Sequence, residues 1–165
     1  MMANVNSNRD ENESQRAGDE EATSFVTFTV AGQLFGVPVI RVQDILTPDA
    51  IAPVPGGPAE VRGLINLRGR IVTVFDMRTR LSLPPDTNEA GRPKMCVTVE
   101  SGGDAYTLFV DSVGDVITLP RRLREANPAT LDVVWREVAE AVFRTDQGLL
   151  VALDIDRLLA IRSKS

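Results

Sequence analysis

From residue 25 onward, hydrophobic residues fall into short runs separated by turns that contain glycine or proline. The first run, Phe25–Val30, is dense in aromatic and β-branched residues, which suit a pleated sheet better than a helix. Similar runs recur almost to the end of the chain, with little helical periodicity. The pattern predicts roughly nine or ten strands and an all-β fold.

The runs pair into hairpins because short polar or glycine-containing turns separate them. Four hairpins are predicted, over residues 25–40, 63–76, 95–111 and 138–153, with a further strand over 113–119 and an irregular segment over 121–134. Asp154 is expected to cap a short C-terminal helix that carries Leu158, Leu159 and Ile161. About five strands in each half of the chain suggest two small barrels.

The first 24 residues form a separate polar segment. They hold six acidic and two basic residues, with Met1, Met2 and Val5 as the sizeable apolar ones. This is too little apolar surface to offset the entropy lost on ordering the segment. We therefore expect a disordered acidic tail over residues 1–24, a folded domain over 25–161 and a short tail over 162–165.

Pro38 interrupts the second run of the first hairpin. Proline has no amide hydrogen to donate to a ladder, so this part of the strand is expected at a sheet edge or a bulge. Around it, Val37, Val39, Val42 and Ile45 occupy both faces of the segment. Two interpretations remain open, namely an apolar surface for a partner and a strand buried on both faces between two barrels.

Composition excludes several kinds of active site. The chain has no histidine and one cysteine, which excludes Ser-His-Asp and Cys-His hydrolases, histidine-ligated metal sites and intramolecular disulfides. The sequence contains neither a Gly-x-Gly dinucleotide fingerprint nor a Gly-Lys-Ser/Thr phosphate loop. Cys96 lies among apolar strand residues and is expected to be a buried small hydrophobe. We expect no cofactor and no metal.

Charge and hydropathy limit the classes of partner and the cellular location to be expected. A net charge of −5 disfavours a nucleic-acid-binding protein, which needs clustered cations. The sequence has no run of about 18 apolar residues that could span a bilayer, and its N-terminus has no hydrophobic signal core. A cytoplasmic protein without membrane insertion is therefore expected.

Two other functions remain open on the residues alone. Asp111 with Asp115, and Asp154 with Asp156, are carboxylate groupings that an acid–base enzyme could use. A small-barrel nucleic-acid-binding protein would need a continuous basic face, for which the sequence offers Arg62, Arg68, Arg70, Arg78 and Arg80.

Several stretches of the chain resemble the CheW family of chemotaxis coupling proteins. They are Phe25–Phe28, Phe35–Val37, Val42–Leu46, Ile51–Pro55, Val61–Val72, Phe75–Arg78, Val110–Val116 and Leu149–Leu159. The most specific combination is Gly-x-x-Asn-Leu-Arg-Gly at 63–69 with Val-Asp-x-Val-x-Asp-Val at 110–116. The resemblance covers about residues 25–161, which is nearly the whole predicted folded domain.

The resemblance implies two intertwined five-stranded SH3-like β-barrels with a short C-terminal helix, and no catalysis. Proteins of this family bridge the cytoplasmic tip of methyl-accepting chemoreceptors to a CheA-type histidine kinase, in arrays at the inner membrane. The chain has no histidine to phosphorylate and no room for a receiver domain, so it resembles the stand-alone adaptor. The resemblance therefore implies a cytoplasmic scaffold that is recruited to receptor arrays.

The resemblance also implies two contact surfaces. It assigns kinase contacts to Val39, Val42, Asp44 and Gly63, and receptor contacts to Arg68, Val97, Val110 and Val113. On the residues alone, Arg68 stays open between a receptor contact and a hydrogen-bonded tie between the barrels. Gly63 and Gly69 stay open between partner contacts and backbone positions that need unusual φ and ψ.

Overall fold

A computed structural model describes residues 21–93, 95–125 and 131–160 of the chain. Residues 1–20 of the predicted 1–24 tail lie outside this part, as do Ile161 and the predicted tail over residues 162–165. Within it the strands are β1 (Ala22–Val30), β2 (Gln33–Pro38), β3 (Val42–Leu46), β4 (Val61–Leu67), β5 (Arg70–Asp76), β6 (Met95–Ser101), β7 (Asp104–Val110), β8 (Ser112–Pro120), β9 (Arg124–Glu125), β10 (Ala139–Thr145) and β11 (Gly148–Leu153). The helices are α1 (Met77–Arg80), α2 (Val133–Val138) and α3 (Ile155–Leu159), and 3₁₀ turns cover Val39–Arg41, Glu89–Gly91 and Arg121–Leu123. The predicted all-β class is confirmed.

The four predicted hairpins are confirmed as antiparallel pairs β1–β2, β4–β5, β6–β7 and β10–β11. The predicted domain start at Phe25 is too late, because β1 begins at Ala22, which pairs with Pro120 on β8. The hydroxyls of Ser24 and Thr118 lie 2.7 Å apart across the same pair of strands. Backbone pairing and hydroxyl contacts therefore order residues that the apolar pattern assigns to the tail.

The strands form two sheets that share the chain in an interleaved way. The first sheet has the strand order β8-β1-β2-β11-β10-β9, and the second has the order β3-β6-β7-β5-β4. The first sheet thus combines both ends of the described chain while the second uses its middle, which confirms the intertwined arrangement. Parallel pairings of β2 with β11 and of β5 with β7 join strands that are distant in sequence. The first sheet has one strand more than expected because the two-residue β9 adds to it.

Central strands of both sheets bury both of their faces. Phe25 on β1 lies in a cluster inside the first sheet, whereas Val26 and Phe28 lie in a larger cluster between the two sheets. Cys96 on β6 is buried inside the second sheet, as predicted, and its neighbour Val97 lies in the cluster between the sheets. Successive residues therefore fill two different cores, which explains why the runs are almost continuously apolar.

Each sheet curls around its own core. Leu119 on β8 and Phe143 on β10 share one cluster, although the two strands lie near opposite ends of the strand order. In the second sheet, Leu46 on β3 packs against the cluster that contains Ile65 on β4, and these are the first and last strands. A core shared by the outermost strands is the geometry of a small barrel, so the two-barrel prediction is confirmed.

A short helix occupies part of the segment that was expected to be irregular. Helix α2 is capped by Asp132, whose carboxylate accepts a backbone N–H of the first turn. Trp135 Nε1 donates to the carbonyl oxygen of Leu81 at 2.9 Å, and the indole lies edge-on to Phe35 with 5.5 Å between ring centroids. This tertiary anchor stabilises a helix too short to persist alone, and β10 starts at Ala139, later than predicted.

Strand β2 lies between β1 and β11 and is therefore not an edge strand. Its pairing with β11 ends at Gly36, so Pro38 lies beyond the last residue that β2 shares with β11. On the other side of β2, Pro38 is the last ladder partner of β1, opposite Phe25. The chain then makes a 3₁₀ turn and enters β3, the outermost strand of the second sheet. Val37 is buried in the core between the sheets, and Val39 and Val42 are half-buried against it. The inner side of this segment is core and its outer edge faces solvent, and a partner surface at that edge stays a prediction.

Candidate functional site

An ion pair connects the two outermost strands of the second barrel. Arg68 Nη2 lies 3.1 Å from Asp44 Oδ2. Asp44 belongs to β3, the first strand of the sheet, and Arg68 directly follows β4, the last strand. In the described part of the chain no hydrogen-bonded ladder joins β3 to β4. The ion pair therefore bridges the seam at which this barrel closes.

A tight turn sets the position of Arg68. The φ angles of Arg68 and Gly69 are +53° and +85°, so both central residues of the β4–β5 hairpin are left-handed, as in the two-residue turns that match strand twist. The side-chain oxygen of Asn66 accepts the N–H of Gly69 at 2.9 Å. The Asn-Leu-Arg-Gly sequence thus builds the turn and projects an arginine whose side chain is 81% exposed. Arg68 ties two strands of one barrel together and also faces solvent.

Large hydrophobic side chains are exposed along the same edge. Ile40, in the 3₁₀ turn that follows Pro38, is 92% exposed, and Ile45 on β3 is 44% exposed. Sequence reasoning did not select Ile40 as a contact residue. The signal that could have found it is the proline two positions earlier, which ends the ladder and turns the following residue outward.

A shallow groove of about 120 Å³ lies beside the ion pair and is lined by Gln43, Asp44, Leu67, Arg68, Arg70, Val72 and Ala105. Ligand-enclosing pockets for small molecules usually measure about 300–1,000 Å³. The groove is therefore suited to a side chain of a docked partner and not to an enclosed substrate.

Three of the four residues matched to the kinase-facing edge lie along this edge. Val39 and Val42 are half-buried, and Asp44 forms the ion pair. Gly63 is instead buried in β4, where a Cβ atom would lie 2.3 Å from the carbonyl oxygen of Ala52. Its φ of +156° adds a second reason for glycine. The prediction of Gly63 as a surface contact is wrong, because the residue serves a close backbone approach.

Three of the four residues matched to the receptor groove, Val97, Val110 and Val113, lie in or against the core between the sheets, and Arg68 lies apart from them. Val97 is 0% exposed and Val110 is 2% exposed, and both belong to the core between the sheets. Their prediction as lining of an open groove is wrong, because their side chains fill the space between the barrels. Val113 on β8 is half-buried at the rim of that core, whereas Arg68 lies in the second barrel beside Asp44.

A second charged cluster lies next to α1. Arg78 and Asp111 form a bidentate ion pair with N–O distances of 3.1 and 2.5 Å, and their side chains are 15% and 13% exposed. Burial raises the pKa of the Asp111 carboxyl, but hydrogen bonds from Arg78 and from the N–H of Ala31, with the charges of Arg78 and Arg92, outweigh burial and hold that pKa below its usual value. The pair connects the second barrel to the β1–β2 turn of the first.

The largest cavity beside this cluster measures about 500 Å³ and is lined by both charged and apolar groups. Arg62 reaches into its wall, pairs with Asp76 at 3.0 Å and with Glu89, and lies 4.0 Å from the ring centroid of Phe109. Both arginines that line the cavity, Arg62 and Arg78, are therefore already paired with carboxylates. The charges hold the loop over residues 82–93 against the barrel.

Three of the four carboxylates considered for acid–base chemistry, Asp111, Asp154 and Asp156, are held as ion-pair or cap acceptors, and Asp115 is exposed on β8. Hydrogen bonds from Ser101 and Arg41, at 2.7 and 2.6 Å, lower the pKa of Asp156. Asp154 caps α3, as predicted, and accepts the N–H of Arg157 at 3.1 Å. A general acid needs a raised pKa, and the shifts found for Asp111 and Asp156 have the opposite direction.

The arginines considered for a basic face are mostly engaged within the chain. Arg62, Arg68 and Arg78 are paired with carboxylates. Arg80 donates to the carbonyl oxygens of Leu158 and Arg157. These contacts point the guanidinium groups to different elements and give no continuous basic face from this set.

Among the described residues, none of the helices has the length and apolar character needed to cross a membrane. In the same part of the chain, no three histidine, cysteine, aspartate or glutamate side chains come together in a way that could hold a metal ion.

Comparison with known proteins identifies similar chains over almost the whole folded region. Residues 24–163 match the family model of the CheW-like domain. The chemotaxis protein CheW of Treponema pallidum is 25% identical over 146 residues, covering 87% of this chain and 86% of the relative. The chemotaxis protein CheW of Bacillus subtilis is 27% identical over 134 residues, covering 81% and 85%. The crystal structure of the scaffolding protein TtCheW from Thermoanaerobacter tengcongensis superimposes with a TM-score of 0.75 at 25% identity, covering 86% of this chain and 95% of that one.

Proposed function

Because the chain belongs to the CheW-like domain family and is a chemotaxis adaptor of that family, we propose that it couples chemoreceptors to a CheA-type histidine kinase without catalysing a reaction itself. The proposed partners are the kinase and the cytoplasmic tip of methyl-accepting chemoreceptors, which the chain would bind within receptor arrays at the inner membrane. The match over residues 24–163 is the observation that carries this proposal. It covers both barrels, so either barrel can offer a contact surface.

The state of the acidic groups supports a non-catalytic role. Asp111 and Asp156 are ionised acceptors with lowered pKa values, and each is held by an arginine. Such groups fix elements of the fold in place and are poorly suited to donate a proton near neutral pH. The charged cavity beside α1 is likewise lined by arginines already paired with carboxylates.

The kinase surface is proposed along the outer edge of the second barrel. Ile40 and Ile45 supply exposed apolar area, and the Asp44–Arg68 ion pair lies beside them. Apolar side chains that a partner can desolvate, surrounded by polar groups, are the usual arrangement of an interface centre. Strand β3 also has an outer edge without a hydrogen-bonded strand among the described residues, which leaves main-chain groups for a partner. Val42 supports this edge from the half-buried side.

The receptor surface is proposed at the rim of the core between the barrels. Val113 stays accessible there, while Val97 and Val110 support it from within. Arg68 is reassigned to the kinase surface, because its ion-pair partner Asp44 lies on β3. The two proposed surfaces then involve different residues, which allows one small protein to contact both partners at once.

Simultaneous contact gives the adaptor a thermodynamic role. A receptor state that binds the adaptor more tightly changes kinase binding by the same coupling free energy, typically about 1–3 kcal/mol. Holding receptor and kinase on one scaffold also replaces a bimolecular encounter by an effectively intramolecular one. Signal transfer then needs no chemical step on the adaptor.

Binding measurements with each partner separately test this proposal. The probes are the CheA-type kinase and a receptor cytoplasmic fragment from the same source as the chain, titrated alone and together. We expect each to bind, and saturation with one to leave the site for the other open. Mutual exclusion of the two partners, or failure of both to bind, would contradict the coupling function while leaving the fold assignment untouched.

A further inference from the structure

An exposed isoleucine is held between two anchored neighbours in the chain. Ile40 is 92% exposed and lies in the middle of the 3₁₀ turn Val39–Arg41. Val39, which precedes it, is half-buried against the core between the sheets. The N–H of Val42 donates to the carbonyl oxygen of Val39 and closes the turn. Ile40 packs into none of the three hydrophobic clusters of the described residues, so the core does not require an apolar side chain there.

Arg41, which follows Ile40, is fixed by its guanidinium group. Arg41 Nε donates to the carbonyl oxygen of Glu100 at 2.9 Å, and Arg41 Nη2 donates to Asp156 Oδ1 at 2.6 Å. The side chain of Arg41 is 26% exposed and that of Asp156 is 65% exposed. A planar guanidinium group directs several donors in a fixed geometry, which the flexible ammonium group of lysine does not. The two contacts therefore fix the last residue of the turn.

The two acceptors of Arg41 belong to different parts of the fold. Glu100 lies on β6 of the second barrel, and its carboxylate accepts the N–H of Gly103 and braces the β6–β7 turn. Asp156 lies on α3, which follows β11 of the first barrel. Ser101 Oγ donates to the same Oδ1 atom of Asp156 at 2.7 Å. We call these contacts among Arg41, Glu100, Ser101 and Asp156 the clasp. The clasp ties the turn to both barrels.

We propose that Arg41 and Asp156 are positioning residues that hold Ile40 in place for the kinase. The inference rests on the kinase surface proposed above and adds Asp156, which lies on α3 and not on the β3 edge. Ordering a mobile contact on binding costs free energy, and a contact that is already held in position avoids part of that cost. Ile40 supplies the apolar contact, and the clasp keeps it in one place. Kinase affinity then depends on a residue beyond the contact surface.

Amide hydrogen exchange of the full chain tests the clasp without any partner. D156A removes the carboxylate, and R41K keeps the positive charge but loses the planar donor group. In both variants the amide of Val42, whose bond to Val39 closes the turn, should exchange about two- to fivefold faster, the size expected for an exposed ion pair. Unchanged exchange at Val42 in both variants would overturn the inference.

E125A is the matched control for the exchange experiment. Glu125 Oε1 lies 2.8 Å from Arg144 Nε in the first barrel, so this variant also removes a surface ion pair but leaves the clasp intact. It should leave the exchange of the Val42 amide unchanged. An equal acceleration in E125A and D156A would show a general loosening of the fold and would contradict a local clasp.

A double-mutant cycle between Asp156 and Ile40 tests the positioning role. The CheA-type kinase from the same source is titrated calorimetrically with the parent chain, D156A, I40A and D156A/I40A. D156A should weaken kinase binding by about two- to fivefold in the parent chain, matching the change in exchange. In the I40A background it should cause no further loss, because the clasp then has no contact to hold. E125A should bind as the parent chain does.

The cycle also separates positioning from direct contact. An equal loss for D156A with and without Ile40 would show that Asp156 contacts the kinase itself, and would overturn the positioning role. Kinase binding that I40A leaves unchanged would overturn the inference as well, because Ile40 would then not be a contact. If D156A lowers the melting temperature through α3, R41K takes its place in the same cycle, since it leaves that helix unaltered.

Failure of this inference is distinguishable from failure of the proposed function. Normal kinase binding by the parent chain together with unchanged exchange in D156A and R41K overturns the inference alone. A parent chain that does not bind the kinase contradicts the proposed function, and the positioning role with it.

Discussion

Arg68 and Asp44 form an ion pair across the seam of the second barrel, between strands that share no hydrogen-bonded ladder among the described residues. The arginine is 81% exposed and the aspartate 23% exposed, so water screens much of their attraction. Exposed pairs of this kind usually contribute about 0.2–1 kcal/mol. We conclude that the pair orients the β3 edge more than it stabilises the fold.

A double-mutant cycle measures that contribution. D44A, R68A and the double variant should give a coupling in the free energy of unfolding of no more than about 1 kcal/mol, because of the solvent exposure of Arg68. If the pair belongs to the kinase interface, the same variants should lose more free energy of kinase binding than free energy of unfolding. A coupling of several kcal/mol in urea unfolding would show that the pair is a structural clamp.

The close approach of Gly63 to the backbone of Ala52 can be tested with two glycine-to-alanine variants. A Cβ atom at Gly63 would lie 2.3 Å from the carbonyl oxygen of Ala52, so G63A should lower the free energy of unfolding by about 1–3 kcal/mol or more. G91A is the matched control, since a Cβ at Gly91 meets nothing within 4 Å and no positive φ is found there. Chemical denaturation that finds equal stability for the two variants would contradict the close approach.

The Arg78–Asp111 pair predicts an acid limb in the stability curve. The pKa of Asp111 is lower in the folded chain than its ordinary value, so the stabilisation is present above about pH 4 and is lost as pH falls through the folded pKa. D111N should lower the free energy of unfolding at neutral pH. The loss should be smaller than that for breaking a fully buried ion pair, which is about 3–5 kcal/mol, and the acid limb should become flatter. Urea unfolding between about pH 7 and about pH 3 checks both effects.

D146N is the control for that experiment, because Asp146 is exposed in the β10–β11 turn and makes no ion pair among the described residues. It should leave the curve close to that of the parent chain. An acid limb that stays unchanged in D111N would mean that other groups determine the pH dependence.

Local structure followed from the sequence better than long-range placement did. Hairpins were predictable because glycine-containing turns, such as Arg68-Gly69, separate strands that pair with their neighbours. The burial of Val97 and Val110 was not, because it depends on which sheet faces which, and parallel pairings such as β5 with β7 join distant segments. Ile40 was missed for a related reason, since its exposure results from the turn after Pro38 and not from any alternation of its own.

The exposed hydrophobic residues of the β3 edge predict a separation between folding and binding. I40E and I45E should keep the melting temperature of the parent chain and weaken kinase binding about tenfold or more, as expected for a central contact worth about 1–2 kcal/mol. V42E would be a poorer probe, because Val42 packs against the core between the barrels. Calorimetric titration of the kinase provides the measurement.

V116E is the matched control for the binding experiment. Val116 is 59% exposed on β8 in the first barrel, so the substitution adds the same charge away from the proposed kinase surface. It should leave kinase affinity unchanged. Equal losses for V116E and I45E would mean that added charge, and not the β3 edge, affects binding.

Receptor control of kinase phosphorylation tests the coupling claim most directly. Receptor-containing membranes, the CheA-type kinase and this chain are combined, and the rate of kinase autophosphorylation is measured with and without the chain and with receptor ligand. We predict that the kinase sediments with the membranes and responds to receptor ligand only when the chain is present, and that I45E weakens both effects. Kinase recruitment and ligand response that are the same without the chain would contradict it.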